Sequence, residues 1–495
     1  MSTGKAPLYE QLLKHRTARP HSFHVPGHKL GKGIHPIAEE VFQSLLEIDM
    51  TEIPGLDDLH HPEEAIKEAQ ELAAAVFGSE HTHFLVGGST VGNLAMIMAT
   101  CQAGDLLLVQ RNAHKSVIHG LMLSGARAVF ITPKVDPDSG LPVGLTSEQA
   151  AEALERYPEA KGLLVTNPSY YGLGTSLQPL AELLHKQDKV LLVDEAHGAH
   201  YGLHPALPLS AMGSGADGAV QSTHKMLTSM TMGAMLHLQG DRLDRKEVAR
   251  YLGILQSSSP SYPIMASLDV CRMQMHEHGR ELLEQGIRQI TYLNECLRGT
   301  KRIQAYRPKY LPNQTQDPFK ILLYDAEGRW TGFELKERLE QLGCYPEMAD
   351  PRYVLMVCTL ATTKEDMDAL LTAIRRIEEI ADTASQPPEP IISNLLQMPS
   401  LSEPVFFHRN IRTQQDITYT RIVEAKGRVA AEMIIPYPPG IPLLYPGEII
   451  SEQVIAYLER LARMGSRFHG HDVAATGTIP TYTSAQVTGI AGDVV

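Results

Sequence analysis

A lysine, an aspartate and a glycine loop, each following an apolar run, are the groups in this 495-residue chain whose types and order could do chemistry. Lys225 closes Gln221-Ser222-Thr223-His224-Lys225. A lysine there can condense with an aldehyde once burial or a nearby cation lowers its pKa, although a surface lysine after a strand would read the same. Asp194 ends the apolar run Val190-Leu191-Leu192-Val193. A carboxylate in that place is costly unless partnered. One partner is a protonated ring nitrogen, since an aspartate facing pyridoxal N1 keeps the ring an electron sink. A nucleotide-magnesium role is the alternative, but no GxxxxGK[ST] occurs upstream. Gly87-Gly88-Ser89-Thr90 follows Phe84-Leu85-Val86 and opens a helical stretch, Val91–Thr100. Backbone N–H groups and hydroxyls at a helix N-terminus can grip a phosphate, and so can an ordinary helix cap be written.

In chain order these three supply phosphate grip, ring protonation and covalent attachment. Ser222 and His224 are further phosphate candidates. His114, in Arg111-Asn112-Ala113-His114-Lys115-Ser116, is placed to stack on a ring face. His197, His200 and His204 invite a metal reading. Asp194 and Lys225 account for that region without one, so no metal is expected.

The elements that must position these groups alternate along the chain. Ile66, Ala69, Leu72, Ala73, Val76 and Phe77 recur at helical spacing and Gly78 stops the helix. Short apolar runs follow at Asp105–Gln110, Ala128–Thr132, Gly162–Thr166, Val190–Asp194 and Ala219–Ser222, with amphipathic stretches such as Gln149–Tyr157 and Leu177–Gln187 between them. That alternation implies βαβ units and a mainly parallel sheet, with ligands beyond the carboxyl ends of the strands. A long helical pattern, Ile264–Arg298, then precedes strand-like pieces at Ile321–Tyr324 and Val354–Val357 and a helix near Lys364–Ile380. Prolines 387, 388, 390, 399 and 404 mark a linker. The expected domains are a pyridoxal-phosphate-binding segment 1–261, a small α/β domain 262–383, a linker 384–404, a C-terminal domain 405–470 and a poorly ordered tail 471–495.

With 44 Lys+Arg against 57 Asp+Glu the formal charge is −13, which makes nucleic-acid or membrane binding no default. Five widely spaced cysteines without a CxxC suit a reducing cytosol over a disulfide framework. Met1–Glu10 has no apolar core of a secretory leader. A cytoplasmic protein is expected.

Together the motifs resemble the ornithine/lysine/arginine decarboxylase family. The matching segments also include Phe23-His24-Val25-Pro26-Gly27-His28-Lys29, Asn167-Pro168-Ser169-Tyr170-Tyr171-Gly172, Asp194-Glu195-Ala196-His197, Ser257-Ser258-Ser259-Pro260-Ser261-Tyr262 and Ile435-Pro436-Tyr437-Pro438-Pro439-Gly440. The resemblance implies an aminotransferase-like, fold type I α/β large domain, a small α/β domain and a C-terminal α+β domain. It also implies pyridoxal 5'-phosphate as cofactor and α-decarboxylation of arginine, lysine or ornithine towards an amine or polyamine precursor. Lys225 would form the internal aldimine, Asp194 would pair with the pyridinium and His114 would stack on the ring. Ser89, Thr90, Ser222 and His224 would bind the phosphate. His197, another cofactor candidate, stands where some larger members have tryptophan. Ser258 would reach the cofactor of a partner subunit in a homodimer, and Glu432 would meet the basic end of the substrate. Gly87 and Val91 replace polar residues of many members, and no counterpart of the N-terminal wing that helps larger members build decamers is expected. The short form resembles compact arginine-decarboxylase-like proteins. Another pyridoxal-phosphate reaction (transamination, aldol cleavage or β-elimination) and a non-catalytic regulator of the same fold are the competing readings.

Overall fold

Five-residue runs of Leu, Ile and Val with no polar alternation form strands covered on both faces. The computed structural model, which describes residues 4–308, 313–379, 398–407, 417–437, 441–464 and 466–483, bears this out. Leu106–Gln110 and Val190–Asp194 are strands in which every residue is buried. Packing divides the chain into two compact units, one of residues 1–100 and 176–285, the other of 101–175 and 286–495. They interleave along the chain, whereas the domain limits read from the sequence are linear segments.

In the first unit four strands lie in the order His81–Leu85, Ala234–Leu238, Gly218–Gln221, Val190–Asp194. The last pair is parallel and the other two are antiparallel. The helix Gly88–Thr100 packs against them. Gly92 permits that approach, because a Cβ there would stand 2.5 Å from Val220 Cγ2 and 3.0 Å from Leu85 Cδ1. The N-terminal helix Pro7–Ala18 is tied down by a fully buried ion pair. Asp269 Oδ2 accepts from the Leu8 N–H at 3.0 Å, and Arg272 reaches Asp269 Oδ1 and the Lys5 carbonyl.

In the second unit the order is Gly162–Thr166, Leu106–Gln110, Arg127–Ile131, Val405–Phe406. The first three are parallel and the last antiparallel. A separate four-stranded antiparallel sheet runs Ile303–Ala305, Lys320–Asp325, Val354–Val357, Met348–Ala349. The helix Gly332–Gln341 covers it, and the helix Lys364–Glu379 packs against that helix. A further core gathers Val454, Leu458 and Leu461 of the helix Glu452–Arg463 with Ile422, Ile434, Phe468 and Ile479.

Two sequence expectations need correction. The tail after Gly470 is not structureless through its described part: Asp472 caps a helical turn, Val473–Thr476, and Thr478–Tyr482 pairs antiparallel with Ile417–Arg421. Thr, Ala and Gly suggested looseness, but β-branched residues favour strands, and Ile479 and Thr481 are wholly buried. Residues 484–495 lie outside the described residues, as do 384–397 of the expected linker. The end of that linker is packed, with the Ser400 carbonyl accepting from the Thr132 N–H at 2.9 Å. Among the described residues no helix is long and apolar enough to cross a membrane.

His237, wholly buried, shows what this packing does to a titratable group. Burial, with a smaller push from His83, lowers its pKa to about 3. An unfolded chain would hold a proton on it up to ~6.5, so between those values the unfolded state binds more protons and stability rises with pH. Unfolding free energy of the protein without ligand should therefore fall on acidification below ~6.5, by at most about 1.4 kcal/mol per pH unit from this residue. Urea titrations of wild type and His237→Gln should differ in that acid slope; equal slopes would show that His237 protonates without cost.

Candidate active site

Asp194 sits at the carboxyl end of its strand, 2% exposed. Asn93 Nδ2 donates to Asp194 Oδ2 at 2.9 Å and the Ala196 N–H to Oδ1 at 3.2 Å. Asn93 lies on the buried face of the Gly88–Thr100 helix, directly after Gly92, so the close approach that Gly92 allows carries the amide to the carboxylate. The sequence reading passed over Asn93. Its signal was an amide in an otherwise apolar helix interior, Val91-Gly92-Asn93-Leu94-Ala95-Met96, where a polar group needs a partner.

The same helix begins at Gly88, whose φ of 73° favours glycine. Its N–H donates to the Met232 carbonyl at 3.0 Å. Next to it, Ser222 Oγ donates to Ser89 Oγ at 2.8 Å. The strand Gly218–Gln221 and the glycine loop thus present a pair of hydroxyls at the N-terminus of a 13-residue helix, where an anion is favoured. Thr90 is exposed in the first turn.

Lys225 follows on a short helix, Thr223–Met226, half-buried. Its Nζ lies 3.1 Å from His197 Nε2, so the lysine donates to the bare nitrogen of a buried imidazole. His224 Nδ1 donates to the Gly233 carbonyl at 2.9 Å. Burial holds the His224 pKa below its ordinary value, the bond to Gly233 opposes this, and the Lys225 charge adds to the lowering. Its Nε2 is then an acceptor at neutral pH, and an anion arriving there would return the proton that makes it a donor.

The structure thus brings together Ser89 with Ser222, Asp194 with Asn93, and Lys225 with His197 within one unit. Ser258 is exposed on a separate loop, which His60 Nε2 steadies through the Ser257 carbonyl at 2.9 Å. His114 and Glu432 belong to the second unit. His114 caps the helix Lys115–Ser124, its Nδ1 accepting from the Ser116 N–H at 3.2 Å, a local task the sequence reading did not assign it. Glu432 is half-buried ahead of the strand Ile434–Tyr437, and Pro438–Gly440 lie outside the described residues. His204 is bound to Glu284 at 2.9 Å. Among the described residues no three His, Cys, Asp or Glu gather where a metal ion could sit.

This donor set fits pyridoxal phosphate. A carboxylate locked by two N–H donors suits a ring N–H, a hydroxyl pair at a helix N-terminus suits a phosphate, and a half-buried amine suits an aldehyde.

The description "Orn/Lys/Arg decarboxylase, major domain" matches residues 6–366, and "Orn/Lys/Arg decarboxylase, C-terminal domain" matches residues 406–490. An uncharacterized protein of Bacillus subtilis, YaaO, is 42% identical over 94% of this chain and 96% of its own. The arginine decarboxylase of Bacillus subtilis is 36% identical over 92% of this chain and 94% of its own. The crystal structure of the Francisella novicida lysine decarboxylase LdcF superposes with a TM-score of 0.82 at 21% identity, covering 97% of this chain and 81% of that one. The fold is accordingly the aminotransferase-like α/β class expected from the sequence.

Asn93→Leu should leave the Asp194 carboxylate without its side-chain donor. A loss of about 1.5–3 kcal/mol in unfolding free energy is expected, read from urea denaturation of the protein without ligand. An unchanged midpoint would mean that Asp194 does not depend on Asn93.

Proposed function

The chain belongs to the Orn/Lys/Arg decarboxylase family, and on that premise we propose that it removes the α-carboxylate of a basic amino acid, arginine ahead of lysine or ornithine. The family makes it a pyridoxal-phosphate-dependent amino-acid decarboxylase. Support for arginine comes from relatives named arginine decarboxylase, 36% identical in Bacillus subtilis and 34% in Bacillus anthracis. The observation that carries the residue assignment is the meeting of Asp194, Ser89–Ser222 and Lys225–His197 at neighbouring strand ends of one unit.

The residues divide the work as follows. Ser89, Thr90 and Ser222 hold the phosphate at the helix N-terminus, and His224 gains a proton there and donates through Nε2. Asp194 accepts from the ring nitrogen and keeps its proton in place, with Asn93 fixing the carboxylate. Lys225 supplies the amine for covalent attachment, and His197 Nε2 receives a proton from Lys225 Nζ when that amine must be neutral. Bound pyridoxal phosphate supplies the electron sink into which the Cα–carboxylate bond breaks. His114, its Nδ1 already engaged by Ser116, would stack on the cofactor ring. Glu432 meets the cationic end of the substrate, where a guanidinium would take both carboxylate oxygens.

A cytoplasmic homodimer completes this reading, with Ser258 serving the site of the neighbouring copy. The helix Pro36–Leu46 supports the dimer: none of its residues is buried, and Ile37 and Val41 are 87% and 75% exposed. Apolar surface of that kind marks an interaction site.

Loaded enzyme offered arginine, lysine and ornithine should release carbon dioxide and the matching amine, fastest from arginine. Lys225→Ala should lower turnover by roughly 10³-fold or more and abolish the visible absorbance that borohydride bleaches in the wild type. Keto-acid in place of amine would turn the assignment to transamination. The double variant Ile37→Glu with Val41→Glu should shift sedimentation towards the monomer; an unchanged sedimentation coefficient would remove this helix from the interface.

A further inference from the structure

Glu195 follows Asp194, and Gln221 precedes Ser222. Neighbouring residues of a strand point to opposite faces, so these two side chains project away from the face that carries the site. There they join one buried hydrogen-bond ladder that crosses four neighbouring strands. Ser79 Oγ lies 3.0 Å from Thr82 Oγ1, and Thr82 Oγ1 lies 2.8 Å from His237 Nδ1. His237 Nε2 lies 3.0 Å from Gln221 Oε1, and Gln221 Nε2 donates to Glu195 Oε2 at 2.8 Å. The Ala211 N–H closes the ladder on Glu195 Oε1 at 2.7 Å. Thr82, His237, Gln221 and Glu195 are all less than 5% exposed.

The direction of the ladder follows from its chemistry. Gln221 gives its N–H to Glu195, so its carbonyl faces His237, and His237 Nε2 must carry the proton. His237 Nδ1 is then bare and takes the Thr82 hydroxyl proton. Every group is satisfied, and three of the strands, with one loop, carry or lead into part of the site. The Thr82 strand leads into Gly87-Gly88-Ser89, the Gln221 strand into Ser222–Lys225 and the Glu195 strand ends at Asp194. Ala211 closes the loop that starts at His197.

We propose that Glu195 is a positioning residue, which through Gln221, His237 and Ala211 holds the strand ends bearing Asp194 and Lys225 in place by an unbroken hydrogen-bond ladder and not by its charge. Burial pushes the Glu195 pKa up to about 8, against the pull of its Gln221 and Ala211 donors. Its protonated form keeps both links as well, Oε1 taking the Ala211 N–H while the carboxyl O–H gives to the carbonyl of a flipped Gln221, so the ladder survives titration. It can also run backwards. A glutamine at 195 would give its N–H to a flipped Gln221, Gln221 to His237 Nε2, and His237 Nδ1–H to Thr82. The inference rests on the assignment of Asp194 and Lys225 to the cofactor.

The test is the dissociation constant of pyridoxal phosphate, read by absorbance titration of the full-length protein stripped of cofactor, for wild type, Glu195→Gln and Glu195→Met. Glu195→Gln should stay within about threefold of wild type, while Glu195→Met, of similar volume, should weaken binding by about tenfold or more. Nitrogen-15 spectra of histidine-labelled protein, taken above pH ~8 where Glu195 is ionised, should show the His237 proton on Nε2 in wild type and on Nδ1 in Glu195→Gln. A glutamine variant as weak as the methionine one would assign the effect to charge, and a methionine variant as strong as glutamine would assign it to packing; either overturns the ladder. Thr82→Val breaks the far link without touching the site, and decides the matter if Glu195→Met does not fold: about a threefold or greater weakening is expected, and an unchanged constant overturns the proposal. Lys225→Ala and Asp194→Ala serve as controls. If neither changes cofactor binding, the site assignment itself fails, whatever the Glu195 series shows.

Discussion

A carboxylate buried at the end of an all-apolar strand is the constraint on which the first unit depends. A carboxylate there is costly to bury without donors. One donor is local, the Ala196 N–H, and costs the chain nothing in long-range order. The other, Asn93, arrives on a helix, and a helix can bring an amide that close only if its facing residue has no side chain. Gly92 meets that need, since a Cβ would overlap Val220 on the strand leading to Ser222. One contact therefore links the carboxylate, the glycine-loop helix and the strand that leads to Lys225.

The helix that satisfies Asp194 through its second turn also offers its N-terminus to an anion. Those two demands are compatible because the N-terminal turn lies above the strand ends while Asn93 lies a turn further in. The Ser222–Ser89 bond joins the strand terminus to that helix at the point where a phosphate would sit. Lys225 is then carried past the sheet on a single helical turn, close enough to His197 to share a hydrogen bond. Three elements thus converge: the glycine-loop helix, the strand that ends at Asp194 and the turn that carries Lys225.

Polar residues here often do local structural work, whether or not they are candidates for chemistry. His114 caps a helix through Nδ1, which fixes the ring before any ligand is considered. Asp269 both pairs with Arg272 and caps the N-terminal helix. Such double use explains why single residues in the sequence were ambiguous: a helix cap and a ligand contact call for the same residue types. Composition misled where packing decided. The described tail residues, rich in Thr, Ala and Gly, complete a two-stranded sheet because Ile479 and Thr481 find a core to enter.

The sequence by itself determined the parallel strands, the order of glycine loop, aspartate and lysine, and the family, because these depend on short-range patterns: apolar runs of strand length and motifs a few residues long. Helix and strand limits such as Gly162–Thr166 and Val190–Asp194 were legible for the same reason. Only the tertiary structure decided the partners. Asn93 meets Asp194 across a hundred positions, Ser89 meets Ser222, and Thr82 reaches Glu195 through two residues of other strands. Hydrogen bonds between distant segments leave no periodic trace in a chain, since each needs only one polar residue at a buried position. Lys225 was one lysine among many in the sequence; its place beside His197, at the end of a strand locked to the glycine loop, is a property of the fold.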